Sequence, residues 1–240
     1  TSNFDEIIEI LNEEFKQGRT TKGKMDEILS RITATADYDK LRNCDLIIEA
    51  VFEDRDLKGK VTAEAEIIMD SNGVFASNTS TLPITGLAEK SIRPEKFIGI
   101  HFFSPVHKMK LVEIIKGNKT NHETIAKAFD YVLKIRKIPI VVNDSRGFYT
   151  SRVFSTYTNE GLALLAEGNH PQEIELAGKK AGMPVGPLAV IDEVNLGLVA
   201  RIRNQTRKDL AAEGKELPLV PADPVIDLMT ETMNRLGRAN

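Results

Sequence analysis

Residues 97–115 constrain this chain more than any other stretch. They read FIGIHFFSPVHKMKLVEII, an apolar strand through Phe103, a break at Ser104-Pro105, and a second apolar run from Leu111 to Ile115. Each run carries one ionisable side chain, His101 in the first and Glu113 in the second. Burial makes either costly unless it is paired. An imidazole and a carboxylate on neighbouring strand ends can meet. A carboxylate so placed fixes the histidine tautomer and stabilises the imidazolium, which makes the ring a general base. The plainer reading is a hydrogen-bonded core histidine and a strand-edge acid.

The chain before this stretch alternates. Phe4, Ile7, Ile8, Leu11 and Phe15 recur at helical spacing and predict an amphipathic helix ending near Gly18. Met25, Ile28, Leu29 and Ile32 predict a shorter second helix. Between them, Gly18-Arg-Thr-Thr-Lys-Gly23-Lys24-Met25 approaches a phosphate-binding loop. It fails because Met25 stands where a hydroxyl is required and because a helix precedes it, so it reads as a helix–helix connection. Its lysines remain suited to attracting the phosphates of a nucleotide-tailed substrate such as CoA. Ile32–Thr35 is a short strand candidate, and Asp45–Val51 is nearly continuously apolar, as expected of a parallel strand buried on both faces. A helix follows over 55–70 with Leu57, Val61, Ala65 and Ile68 on one helical face, then a strand over 74–78 and a short helix ending near Lys90. A helix over 121–136 and a strand over 138–142, whose Pro139 suggests an edge or a start, close the series. This alternation predicts a doubly wound α/β sheet with ligands at the carboxyl ends of its strands. Glu49, Glu53, Asn78, Ser80 and His101 stand at or just past three such ends.

After Asp144-Ser-Arg-Gly147 the alternation stops, and helical pieces follow over 147–167, 171–181, 187–209 and 221–236. The expected organisation is therefore an α/β domain over 1–143 and an all-α domain over 144–240. Gly178, Gly182 and Gly186 recur every four residues, and helix ends and close packing account for them.

Composition excludes several classes of function. A net charge of −3 leaves no broad basic surface for nucleic acid. Four histidines, the single Cys44 and the lack of a C-x-x-C give neither a metal pattern nor a disulfide framework, which fits a reducing compartment. No apolar run approaches the roughly 18 residues of a membrane span. The acidic opening TSNFDEIIEI is unlike a signal or transit peptide.

The HFFSP…LVE stretch resembles the L-3-hydroxyacyl-CoA dehydrogenase family, in its spacing and in the flanking Phe-Phe, Ser-Pro and Leu-Val-Glu. The resemblance covers essentially the whole chain. It implies a Rossmann-type domain followed by a helical domain that forms a dimer contact and one wall of an acyl-CoA cleft. It implies NAD as cofactor and oxidation of L-3-hydroxyacyl-CoA to 3-ketoacyl-CoA in fatty-acid β-oxidation, with His101 and Glu113 as the catalytic pair. By the same resemblance IIEAVFED and Lys58 form the nicotinamide-side loop, making Val51, Phe52, Glu53 and Lys58 cofactor contacts, with Asn78 and Ser104 beside them. ASNTSTLPI matches the family's S-N-T-S segment, so Ser80 would touch cofactor and substrate near the reacting oxygen. Two positions depart from the pattern. Ser104 stands where many members have Asn, and Ser151 stands near the place of an Asn associated with the substrate's thioester side, with a shorter reach for its single donor. The family's first β-α-β unit would carry a Gly-rich turn and a ribose-binding acid, and this chain holds no G-x-G-x-x-G. The expectation is an internal piece of a longer chain, N-terminally truncated in its Rossmann domain. DSRGF followed by Ser-Arg suggests a multifunctional protein with an enoyl-CoA hydratase unit. The implied setting is a homodimer in the bacterial cytoplasm, or in a mitochondrial or peroxisomal matrix. A short-chain 3-hydroxybutyryl-CoA dehydrogenase and a non-catalytic scaffold are the alternatives.

Overall fold

The computed structural model describes residues 2–212 and 214–234, which fall into two compact units, Thr1–Asp144 and Ser145–Asn240. The first opens with helices α1 (Ser2–Lys16) and α2 (Lys22–Ser30). Gly18 turns the chain between them at φ +70°, a left-handed conformation glycine adopts without strain. Thr21 caps α2, its hydroxyl accepting the Lys24 amide at 3.3 Å. The stretch that approaches a phosphate-binding loop thus connects the two helices over 18–21 and forms the first turn of α2 over 22–25. Residues 32–35 form no strand; Ile32 is half-buried, 33–35 are exposed, and none joins the sheet.

Five strands build one sheet in the order β1 (Leu46–Glu49), β2 (Val74–Ser77), β3 (Phe97–Phe102), β4 (Leu111–Lys116), β5 (Ile138–Asn143). β1, β2 and β3 run parallel, β4 runs antiparallel to β3, and β5 is parallel to β4. Pro139 sits on the outer strand β5, where its missing N–H costs no ladder bond on the open side. Helices α3 (Arg55–Glu66), α4 (Ile84–Ala88) and α5 (His122–Lys134) cover the sheet. Alternation along the strands sorts the two faces. Val74, Ala76, Ile98, Ile100, Val112 and Ile114 pack with Ala128 and Val132 of α5 in one core. Phe75 and Phe97, their rings stacked with centroids 5.5 Å apart, belong to the other face, which also carries Gly99, His101 and Glu113. Gly99 lets α4 approach there: a Cβ on it would lie 2.8 Å from Ile84 Cδ1 and 2.9 Å from Ile115 Cδ1.

Helix α3 ends at Glu66, short of the expected 70, and is rotated away from its apolar stripe. Leu57 is exposed and Val61 and Ile68 are half-buried, whereas Lys58, Gly59, Thr62, Ala65 and Glu66 are buried. Two inward ionic groups explain the rotation. Lys58 reaches the carboxylate of Glu49, and Glu66 accepts the Ser91 hydroxyl at 2.6 Å and the Ile92 amide at 2.8 Å.

The second unit is helical: α6 (Thr150–Ala166), α7 (Pro171–Lys180), α8 (Pro187–Val194), α9 (Leu196–Ala212) and α10 (Asp223–Asp227), which runs into a π-helical turn over Leu228–Thr232. Its core gathers Leu162, Ile191, Leu196, Ala222 and Ile226. The continuous helix expected over 187–209 is broken at Asn195, whose φ of +86° ends α8. Its side-chain oxygen then accepts the Leu198 amide at 3.0 Å and starts α9. Residues 235–236, the end of the last predicted helix, lie outside the described residues.

Candidate active site

The antiparallel register of β3 and β4 sets His101 directly opposite Glu113. Their side chains point to one face, and His101 Nδ1 lies 3.1 Å from Glu113 Oε2. Both are buried, at 5% and 0% exposure, so the contact is shielded from water. An ionised Glu113 accepts from Nδ1–H, which fixes the tautomer with Nε2 as the basic nitrogen. The Phe103 ring packs against the imidazole at a centroid distance of 4.5 Å. Asn78, just past β2, ties that strand end to β3: its side-chain oxygen accepts the Phe102 amide at 2.8 Å, and its own amide donates to Glu49 O at 2.7 Å.

A second polar assembly lies at the ends of β1 and β2. Glu49 Oε1 accepts from the Val51 amide at 2.7 Å and from Lys58 Nζ at 2.9 Å, while Oε2 accepts the Ser77 hydroxyl at 2.7 Å. The Lys58–Glu49 pair is buried on both sides, with side chains 2% and 1% exposed. Lys58 Nζ also donates to Val51 O at 3.2 Å and stands 3.4 Å from Glu53 Oε2. Glu53 in turn accepts through Oε1 the Thr79 hydroxyl at 2.5 Å, the Ser80 and Thr81 amides at 3.1 Å each, and the Thr81 hydroxyl at 3.1 Å. Burial pushes the Glu53 carboxyl up, but the Thr79 hydroxyl, the Lys58 ammonium and the Thr81 donors outweigh it and hold it below the usual carboxylate range.

The predicted site residues therefore divide. Val51, Phe52, Glu53, Lys58, Asn78 and Ser80 gather at the carboxyl ends of β1 and β2, and His101 comes from β3. Phe52 is 86% exposed and Ser80 is exposed, so both face solvent at this rim. Lys58 is enclosed by three protein oxygens. Ser104 is exposed in the turn after β3, and Ser151 stands half-buried in the first turn of α6 in the second unit. Ser77, Thr79 and Asp144 were not singled out from the sequence. Asp144 holds the start of α4, its carboxylate oxygens accepting the Ile84 and Thr85 amides at 2.9 and 2.8 Å. Ser77 and Thr79 lie within the S-N-T-S segment but their carboxylate partners, Glu49 and Glu53, are distant in sequence, as are the amides that Asp144 holds. Among the described residues no cluster of histidine, cysteine or carboxylates has the makings of a metal site, and no helix is long and apolar enough to cross a membrane.

A mostly parallel sheet with polar strand ends and a histidine–carboxylate pair beside them is the frame of a nucleotide-binding type of dehydrogenase fold. The chain belongs to the 3-hydroxyacyl-CoA dehydrogenase family. Residues 2–145 match the model described as "3-hydroxyacyl-CoA dehydrogenase, NAD binding domain", and residues 147–240 match that of the C-terminal domain. Among curated relatives, the fatty acid oxidation complex subunit alpha of Shewanella sp. (strain W3-18-1) is 41% identical over 206 residues, covering 86% of this chain and 29% of that protein. The chain thus spans under a third of the curated relatives it matches. The (S)-3-hydroxybutyryl-CoA dehydrogenase of Ralstonia eutropha has a TM-score of 0.85 at 32% identity, covering 97% of this chain and 81% of that one. The 3-hydroxybutyryl-CoA dehydrogenase of Escherichia coli K12 gives 0.85 at 29% identity, over 98% of this chain and 49% of the other.

Proposed function

We propose that this chain carries the NAD-dependent oxidation of L-3-hydroxyacyl-CoA to 3-ketoacyl-CoA, with His101 as general base. The observation that carries this reading is the His101–Glu113 contact of 3.1 Å between two buried side chains on facing strands. With Nδ1 committed to the carboxylate, Nε2 takes the proton of the 3-hydroxyl, and Glu113 stabilises the imidazolium that results. Ser80, exposed at the neighbouring strand end, donates to the reacting oxygen. Bound nicotinamide supplies the acceptor for the hydride that leaves C3. The residues present suit its nicotinamide end: Phe52 offers an exposed ring and Ser80 a hydroxyl at one rim. A Gly-rich pyrophosphate turn is not among them. Val51, Asn78 and Ser104 complete the proposed cofactor contacts, and Ser151 the substrate contacts.

The 41%-identical relatives named for fatty-acid oxidation favour a substrate range beyond C4 chains and a place in a larger oxidation assembly with an enoyl-CoA hydratase unit. Their bacterial sources favour a cytoplasmic setting, and a homodimer through the helical unit belongs to the same reading. Comparing turnover of C4 and C16 substrates decides between this and a short-chain 3-hydroxybutyryl-CoA enzyme.

The decisive test follows NADH consumption with acetoacetyl-CoA in the full-length product of the gene. His101→Ala is expected to lower kcat by about 10²- to 10⁴-fold, the usual contribution of a general acid–base residue, and Glu113→Gln by a smaller factor. Turnover indifferent to His101 would sink the mechanism, and no turnover at all would leave a non-catalytic scaffold as the better account.

A further inference from the structure

We infer that Glu53 is a positioning residue, a clasp that presents Ser80 to the reaction centre, with Lys58 as its buried countercharge. The inference rests on the role proposed above for Ser80. Ser80 itself is exposed, in a turn between β2 and α4 with no strand neighbour of its own. What fixes that turn is one carboxylate oxygen. Glu53 Oε1 receives donors from all three residues of the Thr79-Ser80-Thr81 run: two hydroxyls and two backbone amides. An oxygen collecting four donors sets the direction of the Ser80 Cα–Cβ bond as a helix cap sets its first turn.

The clasp is anchored from behind. Lys58 Nζ stands 3.4 Å from Glu53 Oε2 and is itself held at 2.9 Å by Glu49, whose other oxygen takes Ser77 of β2. The chain of contacts runs from the end of β1, through α3, back to the turn after β2. Thr79 reinforces it locally. Besides donating to Glu53, its hydroxyl oxygen accepts the Thr81 and Leu82 amides at 3.3 and 3.0 Å. Thr79 has no exposed surface, so it reaches no ligand. That separates a positioning role from direct contact with the cofactor.

The test uses Thr79→Val, Glu53→Gln, Glu53→Ala and Ser80→Ala in the full-length protein, read by kinetics and by hydrogen exchange of the segment 78–82. Thr79→Val removes a donor to the clasp at nearly constant volume. It is expected to lower kcat about tenfold or more while KM for NADH moves by no more than about threefold, since misplacing a reacting group costs turnover. The Ser80 and Thr81 amides are expected to exchange about tenfold faster as the turn loosens. Glu53→Gln, which keeps an acceptor oxygen, should retain more turnover than Glu53→Ala. Wild-type turnover and unchanged exchange in Thr79→Val would overturn the clasp. So would Glu53 variants that raise only KM for NADH with exchange unaltered, the mark of a simple cofactor contact. Ser80→Ala tells the two failures apart. Wild-type turnover there removes the role given to Ser80, and exchange in Thr79→Val alone then decides whether the clasp exists.

Discussion

Glu113 has no exposed surface, and His101 meets its carboxylate across the strand pair. That arrangement keeps the imidazole in one tautomer without help from solvent. Glu53 is held differently, by a fan of hydroxyl and amide donors and by Lys58. Burial raises its pKa, but those donors and that charge lower it further, so the folded value lies beneath the unfolded one. The unfolded chain then binds the proton more readily, and stability rises with pH through this window. The contribution of Glu53 is fully present above the ordinary glutamate value of about 4.3 and is lost as pH falls through the depressed one. Melting temperatures measured from pH 3 to 6 should therefore fall on the acid side less steeply in Glu53→Gln than in the parent. Parallel acid limbs would show that the carboxylate is as easily protonated folded as unfolded.

At the scale of elements, α3 is joined to β1 by a buried charge pair. Breaking one partner of such a pair leaves the other ionised and desolvated, which costs about 3–5 kcal/mol. Lys58→Met should cost that much in urea denaturation, because Glu49 would keep only the Ser77 hydroxyl and the Val51 amide. A cost within about 0.5 kcal/mol of zero, as at an indifferent surface position, would mean that Lys58 is not buried against Glu49. The same helix shows where sequence patterning stops. Leu57, Val61, Ala65 and Ile68 form a legitimate apolar stripe, and the helix was legible from it. The face it buries was not, since apolar periodicity gives no weight to an inward Lys58 and Glu66 whose partners lie in other elements. Asn195 escaped for a related reason: a single left-handed residue within a helical pattern leaves no gap in the spacing. Ile32–Thr35 has strand-like composition but no neighbouring strand to pair with. The facing of His101 and Glu113, by contrast, was foreseeable from two ionisable residues in adjacent apolar runs, each needing the other. Glu49 was legible as a strand-end polar group, but its burial with Lys58 was not.

For the molecule as a whole, the change from alternating strands and helices to helices alone marks a change of core. One core lies between the sheet and α5, around Ile98, Ile100, Val112 and Val132. The other lies among α6, α8, α9 and α10, around Leu162, Ile191 and Ile226. Two separate cores predict separable local stabilities. Ile226 is 2% exposed, and truncating a buried isoleucine to alanine costs about 2–5 kcal/mol in lost burial and cavity. If the helical unit opens on its own, Ile226→Ala should speed exchange of its most protected amides, in α6 and α8, by about 30-fold or more, as roughly 2 kcal/mol implies. Amides in β3 and β4 should meanwhile keep their parent rates, because their slowest opening involves a core that the substitution does not touch. Hydrogen exchange read by mass spectrometry on the full-length protein resolves both sets in one experiment. Equal acceleration in β3 and β4 would show instead that the units unfold together, and the effect of a substitution in the helical unit would then reach the His101–Glu113 pair through global stability.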